Sequence, residues 1–247
     1  GRWYTGGYDE IGLDITLERV GDAPLVTGVY PSALRIGGNT EVAVYGANLA
    51  GVTGLDLGPG IEVARVVEAT DTALRVEARV ASDATVGRRD LFLDQASLAD
   101  AVIVYDEVAR IAVTPTAGMA RVGGVRIPKQ FQQFEARGYH AGPDGELETD
   151  DDLDLGLVDV TWSLEEYAVT FGDDDIEFVG AIDARGRFVP NIDGPNPERS
   201  GLRNNIGDVW VIATHRTPDG DELRARGHLL VTVPNYLRWD PTAVERP

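Results

Sequence analysis

Seven carboxylates fall within the seventeen residues from His140 to Gly156, "HAGPDGELETDDDLDLG". Aspartates at that density are the residue type that binds calcium, which wants several hard oxygens converging at about 2.3–2.6 Å. Asp144, Asp150, Asp151 and Asp152 are the candidate ligands. The spacing is not that of an EF-hand, which needs Gly at the sixth position and Glu at the twelfth. Counted from Asp144, those positions are Thr149 and Leu155; counted from Asp150, they are Leu155 and Thr161. An irregular calcium loop and an acidic hairpin tip both fit, because "PDG" is turn chemistry. A second acidic run, "FGDDDIEF" from Phe171 to Phe178, is expected to be a solvated turn.

Other chemistry is sparse. The histidines are His140, His215 and His228, and none has the H-E-x-x-H spacing of a zinc helix. His215 and His228 are candidates to face each other across a hairpin. There is no G-x-S-x-G elbow, Walker A loop or dinucleotide fingerprint. Cysteine is absent, which excludes disulfides, thiolate metal sites, a Cys nucleophile and haem attachment through C-x-x-C-H within this chain. No catalytic site is expected. The net charge of −19 opposes a phosphate backbone or an anionic membrane surface as partner. Lys129 is the only lysine.

The elements that would position these residues are strands. Leu74, Val76, Ala78 and Val80 alternate with Arg75, Glu77 and Arg79, and Val158, Val160, Trp162 and Leu164 alternate with Asp159, Thr161 and Ser163. The same period of two runs from Leu223 to Val233. Period two means one face in a core and one in water. Lys129 to Tyr139 reads either as a helix or as a strand bulged near Phe131. "TPDGDE" and "DARGR" are hairpin turns. Short strands between frequent turns predict an all-β chain of tandem immunoglobulin-like β-sandwich domains. The expected division is 23–107 and 108–247. Residues 1–22 are expected to be closing strands of an incomplete preceding domain, and the start at Gly1 suggests a processed or truncated product. Trp162 belongs with the core. Trp210 lies opposite Val209, Val211 and Ala213, so it is either exposed or covered by a partner. Trp239 has the same ambiguity, and both are candidate interface anchors.

Two family resemblances follow. Residues 26–105, through Pro31 to Gly37, "EVAVYGANLAG" and "LDLGPGIEV", resemble a TIG/IPT-type immunoglobulin-like domain. Five further stretches resemble the C-terminal half of the alpha subunit of quinohaemoprotein amine dehydrogenase. They are "ARIAVTPTAGMARVGG", "FEARGYHAGPDGELETDDDLDLGLVDVTWSLEEY", "FVGAIDARGRFVPNIDGPNP", "NNIGDVWVIAT" and "GHLLVTVPNYLRW". That resemblance implies a periplasmic complex that oxidises primary amines. Its parts would be a dihaem cytochrome domain carrying haem c, a β-propeller subunit and a small subunit bearing a tryptophan-derived quinone. Without C-x-x-C-H, no haem is held covalently here and no catalytic residue carries over. What transfers is a scaffold role, and the loop at Asp144 to Asp152 becomes a structural feature of the domain. The alternative is a secreted or surface immunoglobulin-like module for adhesion or spacing in an extracellular assembly.

Overall fold

Alternation of apolar and polar side chains becomes alternation of faces once strands pair. A computed structural model describes residues 2–5, 8–15, 21–124, 127–168 and 174–234. The chain divides into two units, Gly1–Asp106 and Glu107–Pro247. At the start of unit 1, β1 (Arg2–Thr5) pairs antiparallel with β2 (Tyr8–Asp14) as a two-stranded sheet of its own.

Eight strands build the sandwich of unit 1. They are β3 (Leu25–Tyr30), β4 (Ala33–Arg35), β5 (Asn39–Ala47), β6 (Leu55–Asp56), β7 (Ile61–Ala69), β8 (Ala73–Val80), β9 (Gly87–Leu93) and β10 (Ala96–Tyr105). One sheet has the order β3-β5-β8-β7, the other β4-β10-β9-β6. The β5–β8 register sets Val42 opposite Val76 and Val44 opposite Leu74, and all four are buried. Leu91, Leu93, Val102 and Val104 close the core from the second sheet. Each such side chain contributes about 1.5–3 kcal/mol by leaving water. On the outer face Arg75 pairs with Glu41 at 3.2 Å and Glu68 at 3.4 Å, in exposed contacts that add little. Strand β7 is an edge, and its register slips at Val63/Arg65 and again at Val66/Glu68. Such bulges over-twist an edge and discourage another chain from adding to it.

Unit 2 holds β11 (Arg110–Thr114), β12 (Ala117–Arg121), β13 (Gln132–Gln133), β14 (Glu135–His140), β15 (Leu153–Leu157), β16 (Thr161–Glu166), β17 (Gly180–Ile182), β18 (Arg187–Pro190), β19 (Gly207–Arg216) and β20 (Glu222–Thr232). A four-residue helix, α1 (Asp175–Phe178), precedes β17. The large sheet has the order β12-β20-β19-β16, with β12 parallel to β20 and the other pairs antiparallel. Sheets β11-β14-β15 and β13-β18-β17 complete the unit. Phe134, Phe188, Val209, Val211, Leu229 and Val231 fill its core, and Trp162 packs against them from β16. The segment from Lys129 to Tyr139 forms no helix; β13 and most of β14 lie within it, and Phe134 and Ala136 point inward. Both units are immunoglobulin-like β-sandwiches. Among the described residues, no helix is long and apolar enough to cross a membrane.

The hairpin turns lie where turn chemistry puts them. Asp183 Oδ1 accepts the backbone N–H groups of Arg185 (2.8 Å) and Arg187 (3.0 Å), which ties the β17–β18 connection. The β19–β20 hairpin pairs Arg216 with Glu222 and runs to Gly207 opposite Val231. His215 therefore faces Leu223, five residues short of His228, and the two histidines do not meet.

Candidate interaction site

The β19–β20 register that separates the histidines brings His228 opposite Trp210. On the other side of Trp210 stands Glu165 of β16, and opposite His228 stands Ala117 of β12. Val209, Val211 and Ala213 face the core fully buried, so Trp210 is turned to the outer face, where it is half-buried. Tyr167, which follows β16, joins it there. The Tyr167 ring centroid lies 4.4 Å from that of His228 and 5.0 Å from that of Trp210, and Trp210 meets His228 edge-on at 5.6 Å. The Arg226 guanidinium stacks 4.1 Å from the Trp210 centroid. His228 Nε2 is 3.2 Å from Asp208 Oδ2. One step further along the sheet, Met119 faces Leu230. Tyr167, Met119 and Leu230 are 45%, 51% and 38% exposed.

The result is a stripe of aromatic, thioether and aliphatic surface across β12, β20 and β19 to Tyr167 beyond the end of β16, edged by Arg226, Asp208 and Glu165. Interface cores are enriched in aromatic residues, Met and Arg, with charges at the rim. The stripe can bind by burial and stacking. Trp210 is thus brought together with partners. Trp239, the other anchor candidate, lies outside the described residues.

Several carboxylates of the acidic loop accept from the protein's own donors. Asp152 Oδ2 accepts from Arg110 at 3.1 Å and from the Glu148 N–H at 3.0 Å, while Arg110 stacks on Tyr139. Asp151 takes the Thr149 hydroxyl at 2.7 Å and the Asp144 N–H at 3.2 Å, and the Thr149 bond leads in holding its carboxyl below the usual range. Asp144 Oδ1 accepts the Glu146 N–H at 2.8 Å, and Asp150 is an exposed turn residue. Among the described residues, no group of three or more His, Asp or Glu side chains is placed to hold a metal ion.

The second acidic run corrects the expectation of a solvated turn. Its residues Phe171 to Asp173 lie outside the described residues, but Asp175 is only 6% exposed. Its partner is Arg199, whose side chain is 1% exposed and which also binds Asp174 at 2.6 Å. Arg199 Nη1 donates to the carbonyls of Asn204 (2.9 Å) and Ile206 (2.8 Å). Burial pulls the Arg199 guanidinium down, yet the hydrogen bonds and charges of Asp175 and Asp174 outweigh it and its pKa stands above the ordinary arginine value. Burial likewise works against the Asp174 carboxylate, and Arg199 and Arg203 together hold it below the usual range. Residue types alone hid this pair, because the partners stand 24 positions apart.

The two units define a tandem β-sandwich protein. Residues 23–106 match the family described as quinohemoprotein amine dehydrogenase, alpha subunit domain III, and residues 111–244 match domain IV of the same subunit. The chain belongs to this alpha-subunit family and spans its domains III and IV. No curated protein matches the chain in sequence. Among solved structures it is similar to the Bacteroides ovatus mixed-linkage glucan utilization locus SGBP-B in complex with mixed-linkage heptasaccharide. That similarity has 16% identity, covers 87% of this chain and 46% of that one, and has a TM-score of 0.37. It is similar also to mouse clustered PcdhgC3 EC1-3, at 15% identity, 86% and 68% coverage, and a TM-score of 0.32. The chain thus spans less than half the length of the first of these.

Proposed function

We propose that this chain is the positioning scaffold of an amine dehydrogenase complex in the periplasm. In this reading it holds a dihaem cytochrome domain, a β-propeller subunit and a small quinone-bearing subunit at fixed spacing. Electron transfer falls steeply with distance, so a rigid sheet that sets the gap between haem c and a tryptophan-derived quinone acts on the rate without touching the amine. The observation that carries the reading is the ring cluster of Tyr167, Trp210 and His228 on the outer face of the large sheet of unit 2. Its rings are held against one another and against Arg226, so little side-chain freedom remains to be lost on docking.

The test is purification of the assembly from its native source, followed by haem absorbance and identification of co-purifying subunits. A haem-bearing, multi-subunit species is expected. Replacing Trp210 with Ala should weaken partner association about 30-fold or more, the scale of an interface hot spot. A colourless, solitary protein, or a Trp210→Ala variant that assembles as the wild type does, would refute the proposal.

A further inference from the structure

Asp followed by Gly is the dipeptide at which a backbone most readily rearranges, because glycine has no side chain to shield its amide nitrogen from the neighbouring carboxyl. The chain holds three such pairs: Asp144–Gly145, Asp193–Gly194 and Asp219–Gly220. As dipeptides they are equivalent, and the fold makes them unequal. At Asp193–Gly194 one side chain ties both reacting groups. Asn204 Nδ2 donates to Asp193 Oδ1 at 2.7 Å, and Asn204 Oδ1 accepts the Gly194 N–H at 3.1 Å. At Asp219–Gly220 the Gly220 N–H donates to the Thr217 carbonyl at 3.0 Å. At Asp144–Gly145 the nucleophile is free: among the described residues, no acceptor meets the Gly145 N–H. Both residues are exposed, and the space about Gly145 is open. The carboxyl is folded back over the same stretch of chain, since Asp144 Oδ1 accepts the Glu146 N–H at 2.8 Å.

We propose that Asp144 is a modification site, the one of the three at which the folded chain converts aspartate to isoaspartate. The Gly145 nitrogen attacks Cγ of the protonated Asp144 carboxyl. An N–Cγ bond forms, the Cγ–Oδ2 bond breaks, and Oδ2 leaves as water with the carboxyl proton and the amide proton. Charge that develops on Oδ1 during the attack meets the Glu146 N–H already in place. Water then opens the succinimide. Addition at Cγ restores aspartate. Addition at the main-chain carbonyl of Asp144 leaves the chain running through Cβ and Cγ, with the old main-chain carbonyl released as a carboxylate. Nothing is oxidised, and the composition is unchanged. The isomer places an extra methylene in the main chain between the Asp144 N–H, which bonds Asp151, and the Glu146 N–H, so the acidic loop is where the change registers. The reaction needs no partner subunit and is independent of the scaffold reading.

The test ages the full chain for several weeks at physiological temperature in a mildly acidic buffer. Isoaspartate is counted by methyl transfer from S-adenosylmethionine with isoaspartyl methyltransferase, and placed by peptide fragmentation that cleaves its Cα–Cβ bond. An amide held in a hydrogen bond must open before it attacks, so the yield at Asp144 should exceed that at Asp219 about fivefold, and that at Asp193 by more. In the urea-unfolded chain the three sites should age alike. Asp144→Asn should raise the yield at this position, because ammonia leaves more readily than water, and Asp144→Glu should abolish it, because the ring would need another carbon. Equal yields at the three sites of the folded chain, or none at Asp144, would overturn the inference. So would a lead for Asp144 that survives unfolding, since the fold would then not be its cause.

Discussion

Replacing Arg199 with alanine tests whether the buried brace carries the weight the geometry gives it. The change removes a guanidinium whose side chain is 1% exposed and leaves the Asp175 carboxylate without its counter-charge inside the unit. It also strips the carbonyls of Asn204 and Ile206 of their donor and takes away the stacking 5.3 Å above Phe178. Breaking a buried pair from one side costs about 3–5 kcal/mol, mostly the penalty of the stranded ion. For a unit of this size that corresponds to a fall in melting temperature of roughly 10 °C. Differential scanning calorimetry of the full chain is the assay, with the transition of unit 1 as the internal reference. The mechanism makes a second demand. Combining Arg199→Met with Asp175→Asn removes both charges, so the double variant should lose less than the two single variants summed. A loss for Arg199→Ala below about 1 kcal/mol, the scale of an exposed pair, would refute the reasoning. So would strict additivity in the double variant.

Two further outcomes follow for unit 2. A Cβ added at Gly207 would lie 1.9 Å from Asp175 Oδ2, the oxygen that accepts the Asp208 N–H, so Gly207→Ala should destabilise unit 2 severely and show as loss of soluble protein or of its calorimetric transition. Acid should act on unit 2 through Asp183, Asp151 and Asp174. Asp183 is held low chiefly by the Arg187 N–H, Asp151 by the Thr149 hydroxyl, and Asp174 by Arg199 and Arg203 against burial. A carboxyl with a depressed folded pKa contributes stability that is present above its unfolded pKa and lost as pH falls through the folded one. Urea midpoints should therefore be level near neutrality and drop below roughly pH 4. Asp183→Asn should flatten part of that drop.

The sandwich fold was legible residue by residue. Leu74, Val76, Ala78 and Val80 are buried, as strict alternation requires, because a strand's side-chain period admits only two faces. "TPDGDE" and "DARGR" were legible as turns for a local reason too: Asp and Gly supply the hydrogen bonds and the positive φ a tight reversal needs. The orientation of Trp210 followed from the apolar run beside it. Its companions did not. That His228 rather than His215 would meet a ring across the hairpin depended on a register set by the turn at Arg216–Glu222, and a shift of a few residues changes every neighbour. Continued alternation from Thr161 through Ser163 and Glu165 puts Tyr167 on the outer face, a signal available but easily passed over.

Composition and periodicity determined by themselves that this chain is all-β, acidic, without thiol chemistry and arranged as tandem sandwiches, since those properties depend on residue type and near neighbours. Tertiary structure alone decided what the acidic runs do. Asp152 meets Arg110 and Asp175 meets Arg199 across separations of 42 and 24 residues. Charge pairing depends on distance in space, and a linear string of residues carries no record of which distant segments the fold brings within a few ångströms.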